Sequence, residues 1–173
     1  MSIYAISDLH LSFNTNKPMD IFGWENYEER IKKNWLEKVN EKDLVLLPGD
    51  FSWEMKLENT YKDFEFINNL PGKKLLLKGN HDLWWTTLKK MRTFLEEENL
   101  KNIDFIYNNS YEFENYIIAG TRGWNLIAEG EEDKKIKERE LLRLENSIKN
   151  GIEKYGKDKP IIVCMPVSYT HLT

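Results

Sequence analysis

Short apolar runs alternate with longer amphipathic stretches through the amino-terminal part of the chain, the arrangement expected when parallel strands are joined through helices. A strand is predicted at Ser2 to Ser7, followed by a polar loop through Pro18 and Gly23. From Glu25 to Val39 the apolar residues Tyr27, Ile31, Trp35, Leu36 and Val39 recur at helical spacing, with Glu and Lys between them. Leu44 to Leu47 reads as the next strand, stopped by Pro48-Gly49, and Leu57 to Asn69 as a helix through Tyr61, Phe64 and Ile67 that ends before Pro71-Gly72. Leu75 to Leu77 is the third strand, and a helix is predicted from Trp84 to Glu98. The pattern then changes. Ile103 to Tyr107, Tyr111 to Phe113 and Tyr116 to Ala119 are short β segments separated by Asn-Asn-Ser and Glu-Asn turns, which predicts a second sheet. Lys134 to Ile152 is a charged helix with Ile136, Leu141, Leu144 and Ile148 on one side, and Pro160 leads into a last strand, Ile161 to Met165. The fold class is α/β, without internal repeats.

Three of the apolar runs end in short polar segments: Asp8-Leu9-His10, Gly49-Asp50 and Gly79-Asn80-His81-Asp82. If the runs are neighbouring parallel strands, their carboxyl ends lie side by side, and the loops there gather two carboxylates, an amide and two imidazoles in one crevice. That donor set suits manganese, iron(II), zinc, cobalt or nickel, and excludes a thiolate site. Each fragment alone is a common turn; their conjunction points to metal chemistry. Asp50 is the best candidate to bridge two cations, because the Pro48-Gly49 turn lets the backbone present its carboxylate sharply at the sheet edge.

Size and charge restrict the partners. At 173 residues the chain is expected to be one domain, and its net charge of −4, with both signs interspersed, offers no broad basic surface for nucleic acid or anionic membrane. A nuclease reading is disfavoured on that ground. The single cysteine, Cys164, excludes an internal disulfide framework and reads as a small buried hydrophobe. The amino terminus lacks the pattern of a secretory signal and no apolar run is long enough to span a bilayer, so the cytoplasm is the expected location. The pattern does not specify an oligomeric state.

In order, the three segments resemble the D-x-H, G-D and G-N-H-[DE] blocks of the calcineurin-like metallophosphoesterases. The resemblance implies a four-layer α/β/β/α sandwich of two mixed sheets flanked by helices, and a dinuclear centre of divalent cations that hydrolyses phosphomonoesters or phosphodiesters by direct attack of a metal-bound hydroxide. By the same resemblance Asp8 and His10 bind the first metal, Asp50 bridges, Asn80 binds the second, and His81 faces the phosphate as acid or hydrogen-bond donor to the leaving oxygen. Where protein serine/threonine phosphatases continue as G-D-x-x-D-R, this chain carries Trp53 and Glu54, and Asp82 stands where they have Glu. The chain therefore looks closer to the small bacterial phosphohydrolases, with a small phosphorylated compound or nucleotide as substrate.

The family pattern continues with a His after the last strand and a later G-H-x-H, whereas this chain reads Pro166-Val167-Ser168-Tyr169-Thr170-His171-Leu172-Thr173. That octapeptide resembles the translation of a transposon sequencing adapter. The expectation is a single domain over residues 1–165, incomplete at its carboxyl end, followed by a non-native tail at 166–173, so His171 is left out of the site. An inactive fragment or a non-catalytic metal-binding scaffold of the same fold is the competing reading.

Other residues stay open. Arg122, between glycines after a predicted strand, either clamps phosphate oxygens or is an ordinary surface Arg. Trp53, Trp84, Trp85 and Trp124 either wall a pocket or, the favoured reading, pack between sheet and helices. Asp82 either orients its loop or the His81 ring, or caps the following helix, and Glu131 to Glu140 is expected to be the solvated face of a helix.

Overall fold

A computed structural model describes residues 1–15, 17, 19–123 and 130–166. Four strands, β1 (Ile3–Ala5), β2 (Leu44–Pro48), β3 (Lys73–Leu77) and β4 (Ile103–Phe105), form a wholly parallel sheet in sequence order. Each crossover carries a helix: α1 (Tyr27–Lys38), α2 (Tyr61–Asn68) and α3 (Leu88–Glu97). Both faces of this sheet are covered, so β2 is buried at every position and its Leu-Val-Leu-Leu run has no reason to alternate with polar residues. Val45, Leu47, Leu76 and Phe105 face the helices, while Leu44, Leu46, Leu75 and Leu77 face the second sheet.

The second sheet holds β5 (Tyr111–Phe113), β6 (Tyr116–Gly120) and β7 (Ile161–Cys164), with β5 antiparallel and β7 parallel to β6. The expectation of two mixed sheets is thus corrected. Only this one is mixed, because each helical crossover in the first sheet returns the chain in the same direction. Leu46, Leu75, Leu77, Ile118 and Cys164 form the core shared by the two sheets. Burial pushes the Cys164 thiol up to about 12, which fits the small buried hydrophobe expected of it.

Helix α4 (Glu131–Tyr155) packs on β6. Its buried stripe is Glu140, Ser147 and Gly151, with Leu141 55% exposed, so the apolar stripe expected through Leu141 is corrected. In its carboxyl-terminal half the helix runs too close to the sheet for large side chains: a Cβ on Gly151 would overlap Ile117 Cγ2, and Ser147 Oγ accepts from Gly120 N (3.0 Å) while donating to Asn109 O (2.6 Å). Glu140 likewise departs from the solvated face expected of residues 131–140.

Of the boundaries that differ, three have clear local reasons. Strand β3 begins at Lys73 rather than Leu75, because Lys74 is fully buried, its ammonium donating to Leu70 O and lying 5.9 Å from the Trp35 ring. The segment before α2 is a 3₁₀ turn, Leu57–Thr60, in which Thr60 Oγ1 donates to Leu57 O at 2.6 Å. Helix α3 starts at Leu88, capped by Thr87, rather than at Trp84. Trp84 and Trp85 are instead spent on the core, their rings 5.3 Å from Phe64 and Phe105 respectively, in line with the packing role favoured for them. Trp124 lies outside the described residues, as do Pro18 and His171.

Candidate metal centre

The loop after β1 enters the left-handed region twice, at Asp8 (φ 57°) and His10 (φ 45°), and the loop after β2 does so at Gly49 (φ 95°) and Asp50 (φ 51°). Such backbone is uncommon for side-chain-bearing residues and concentrates at functional turns. It is held here by a main-chain ladder that runs past the strand ends. Asp8 N donates to Gly49 O (3.1 Å), His10 N to Asp50 O (3.0 Å), Leu11 N to Phe51 O (2.9 Å) and Trp53 N to Leu11 O (2.9 Å). The Tyr27 hydroxyl of α1 adds a 2.9 Å bond to His10 O.

The third loop locks against the second without space between them. A Cβ on Gly49 would lie 2.7 Å from Gly79 Cα, and one on Gly79 would overlap the Asp50 carboxylate and amide nitrogen. Fully buried Asp82 joins the two loops. Its Oδ2 accepts from Asp50 N (2.9 Å) and Gly79 N (2.8 Å), and its Oδ1 from Phe51 N (2.9 Å), Ser52 N (3.3 Å) and Trp84 Nε1 (3.1 Å). Burial pushes this carboxyl up to about 6, opposed by the amide bonds, which favour its anionic form, and reinforced by the nearby Asp50 charge. Of the two roles open to Asp82, orienting the loops is the one it has; Thr87, not Asp82, caps α3.

These constraints bring one ligand atom each of Asp8, His10 and Asp50 within 4.8 Å of one another. His10 Nε2 is 3.8 Å from Asp8 Oδ1, and His81 N donates to Asp50 Oδ1 at 2.9 Å, fixing that carboxylate's rotamer. The buried His10 Nδ1 has no hydrogen-bond partner. Burial holds His10 below the usual imidazole range despite Asp50 and Asp8, which favours the neutral, ligating form. Two carboxylates and a neutral imidazole at this spacing are a donor set that fits a borderline divalent cation.

His81 is exposed, its ring centroid 5.6 Å from His10 and 4.7 Å from Trp53. Asn80 is exposed next to it. Trp53 stacks on the His10 ring (4.7 Å, 21°), a role that no spacing rule foretells, and Glu54 is buried with Oε1 unpartnered. Arg122 belongs to a different cluster. Its Nε lies 3.6 Å from Glu140 Oε1, beside a cavity of about 190 Å³ that Lys78, Tyr107, Asn108, Arg139 and Arg143 also line. Nothing in the local sequence announces that group, since its members come from distant segments. The two clusters lie at the same rim: Lys78 directly precedes Gly79, a Cβ on Gly120 would lie 2.7 Å from Leu77 Cδ2, and Pro166, just past β7, lies 3.2 Å from a Cβ on Gly49.

A family model described as calcineurin-like phosphoesterase matches residues 1–167. Among solved structures, a protein of unknown function from Aquifex aeolicus is similar in fold, with a TM-score of 0.50 and 22% identity over 95% of this chain and 90% of that one. No curated protein matches.

Proposed function

The chain belongs to the calcineurin-like phosphoesterase family, and from that premise we propose that it is a metal-dependent hydrolase of phosphomonoester or phosphodiester bonds in small phosphorylated compounds or nucleotides. The observation that carries this reading is the convergence of Asp8, His10 and Asp50 at the carboxyl ends of β1 and β2. Asp8 and His10 would hold one divalent cation, Asp50 would bridge to a second, and Asn80 would ligate that second one. When bound, such a pair neutralises phosphate charge and makes a hydroxide available near neutral pH.

The protein's own groups do the rest. Asp82, by fixing the amides of Asp50 and Gly79, keeps the second and third loops in register as charge builds up between them. The exposed His81 ring, braced by Trp53, can hold a proton and pass it to the leaving oxygen.

The test is metal analysis of the purified chain alongside turnover of 4-nitrophenyl phosphate and bis(4-nitrophenyl) phosphate. The expected result is bound divalent metal and hydrolysis that chelator abolishes and added cation restores. Asp50→Asn should remove most of both. Full turnover by Asp50→Asn, or by metal-stripped protein, would overturn the reading.

A further inference from the structure

The cavity between β6, the end of β3 and α4 is lined by Lys78, Arg139 and Arg143, with Arg122 at its wall, while Glu140 is the one carboxylate among its described lining residues. Leaving Arg122 aside, three cations face one anion. Glu140 is 3% exposed and organises them: its Oε1 accepts from Arg143 Nη1 (2.6 Å) and lies 3.5 Å from Arg139 Nε, and its Oε2 accepts from Thr121 Oγ1 (2.7 Å). The Arg143 guanidinium is further positioned 5.7 Å from the centroid of the Tyr107 ring. Guanidinium forks held apart by one buried carboxylate, with an ammonium and the Asn108 amide beside them, form a preorganised cradle for a tetrahedral oxyanion.

Size and position narrow the ligand. At about 190 Å³ the cavity is smaller than the roughly 300 Å³ at which pockets begin to take whole drug-sized molecules, so it fits a single small group. Lys78 is one peptide bond from Gly79, whose backbone packs on Asp50, so the cavity and the metal centre share the carboxyl rim of the first sheet while drawing on different residues. We propose that this cavity binds a second phosphoryl group of the substrate, making the enzyme selective for compounds that carry a phosphate several atoms away from the scissile one. This rests on the phosphoesterase reading above.

The test compares propyl phosphate with 1,3-propanediol bisphosphate, which differ only in the second phosphoryl group. The expected kcat/KM ratio, after statistical correction for two equivalent phosphates, is about tenfold in favour of the bisphosphate, the scale of one charge-assisted contact. Arg139→Gln, at a half-exposed side chain, and Lys78→Gln should each bring the ratio towards unity, and high salt should do the same. Independently of turnover, calorimetry of the metal-free protein with inorganic phosphate should give binding that Arg139→Gln weakens severalfold. A ratio near unity in the unmodified protein, or a preference that both variants keep, overturns the proposal. If neither compound is hydrolysed but phosphate binds and the variants weaken it, the substrate selectivity is overturned and the anion site stands; phosphate binding that the variants leave untouched is an adventitious ion only and overturns the site.

Discussion

The two polar clusters at the carboxyl rim are built in opposite ways. Around Asp8, His10 and Asp50 the main chain does the positioning, through left-handed backbone, glycine-to-glycine contact and the amides gathered by Asp82. Around Glu140 long side chains, Arg122 from the loop after β6 and Arg139 and Arg143 from α4 itself, meet at one buried carboxylate. A centre held by backbone is fixed to within small displacements and insensitive to salt, because its hydrogen bonds are short and buried. A centre held by arginines keeps rotamer freedom and loses attraction as ions screen it. The first construction suits ligation at fixed distances, the second the capture of an anion.

Substitutions separate the two. The largest effect is expected from Asp82→Ala, which leaves the amides of Asp50, Phe51 and Gly79 buried without an acceptor: a loss of about 4 kcal/mol in denaturant unfolding, unchanged between low and high salt, together with loss of bound metal. Gly79→Ala comes next, at about 3 kcal/mol, since its methyl must push the Asp50 carboxylate aside; metal content by mass spectrometry should fall even in the folded fraction. Glu140→Gln is expected to cost about 2 kcal/mol, and here the cost should depend on salt, because the unmasked repulsion among Arg122, Arg139 and Arg143 is screened. An unchanged salt dependence for Glu140→Gln would erase the distinction between the two centres.

A further effect, confined to alkaline pH, is a pH slope at the other end of β3. Burial lowers Lys74 to about 8 from 10.5, so between those values the unfolded chain binds more protons and stability rises with pH. Lys74→Met should flatten that rise in unfolding titrations, whereas Asp82→Ala should leave it in place.

The same contrast explains what could be read in advance. Asp8, His10 and Asp50, which the structure brings together, stand in short blocks after apolar runs, because side chains positioned by the backbone need their turn residues next to them in sequence. The parallel sheet was legible for a related reason: β2 is buried at every position and apolar throughout, and β3 repeats that pattern from Leu75 to Leu77. The arginine cradle was not, since Lys78, Arg122 and Arg143 come together only when β3, β6 and α4 do, and a stretch such as residues 131–140 looks like a solvated face until Glu140 is seen beneath it. Leu141 failed for the complementary reason. Helical periodicity assumes that the buried side of a helix is apolar, whereas α4 buries Glu140 among arginines and approaches the sheet so closely further on that the small Ser147 and Gly151 stand there.

Strand β3 leads straight into Lys78, which lines one cluster, and Gly79, which packs into the other. One peptide unit therefore belongs to both, and any shift of it is felt at both. The thermodynamic consequence is reciprocity: by whatever factor a filled cradle tightens the grip on a cation, a bound cation must tighten the grip on the anion by the same factor.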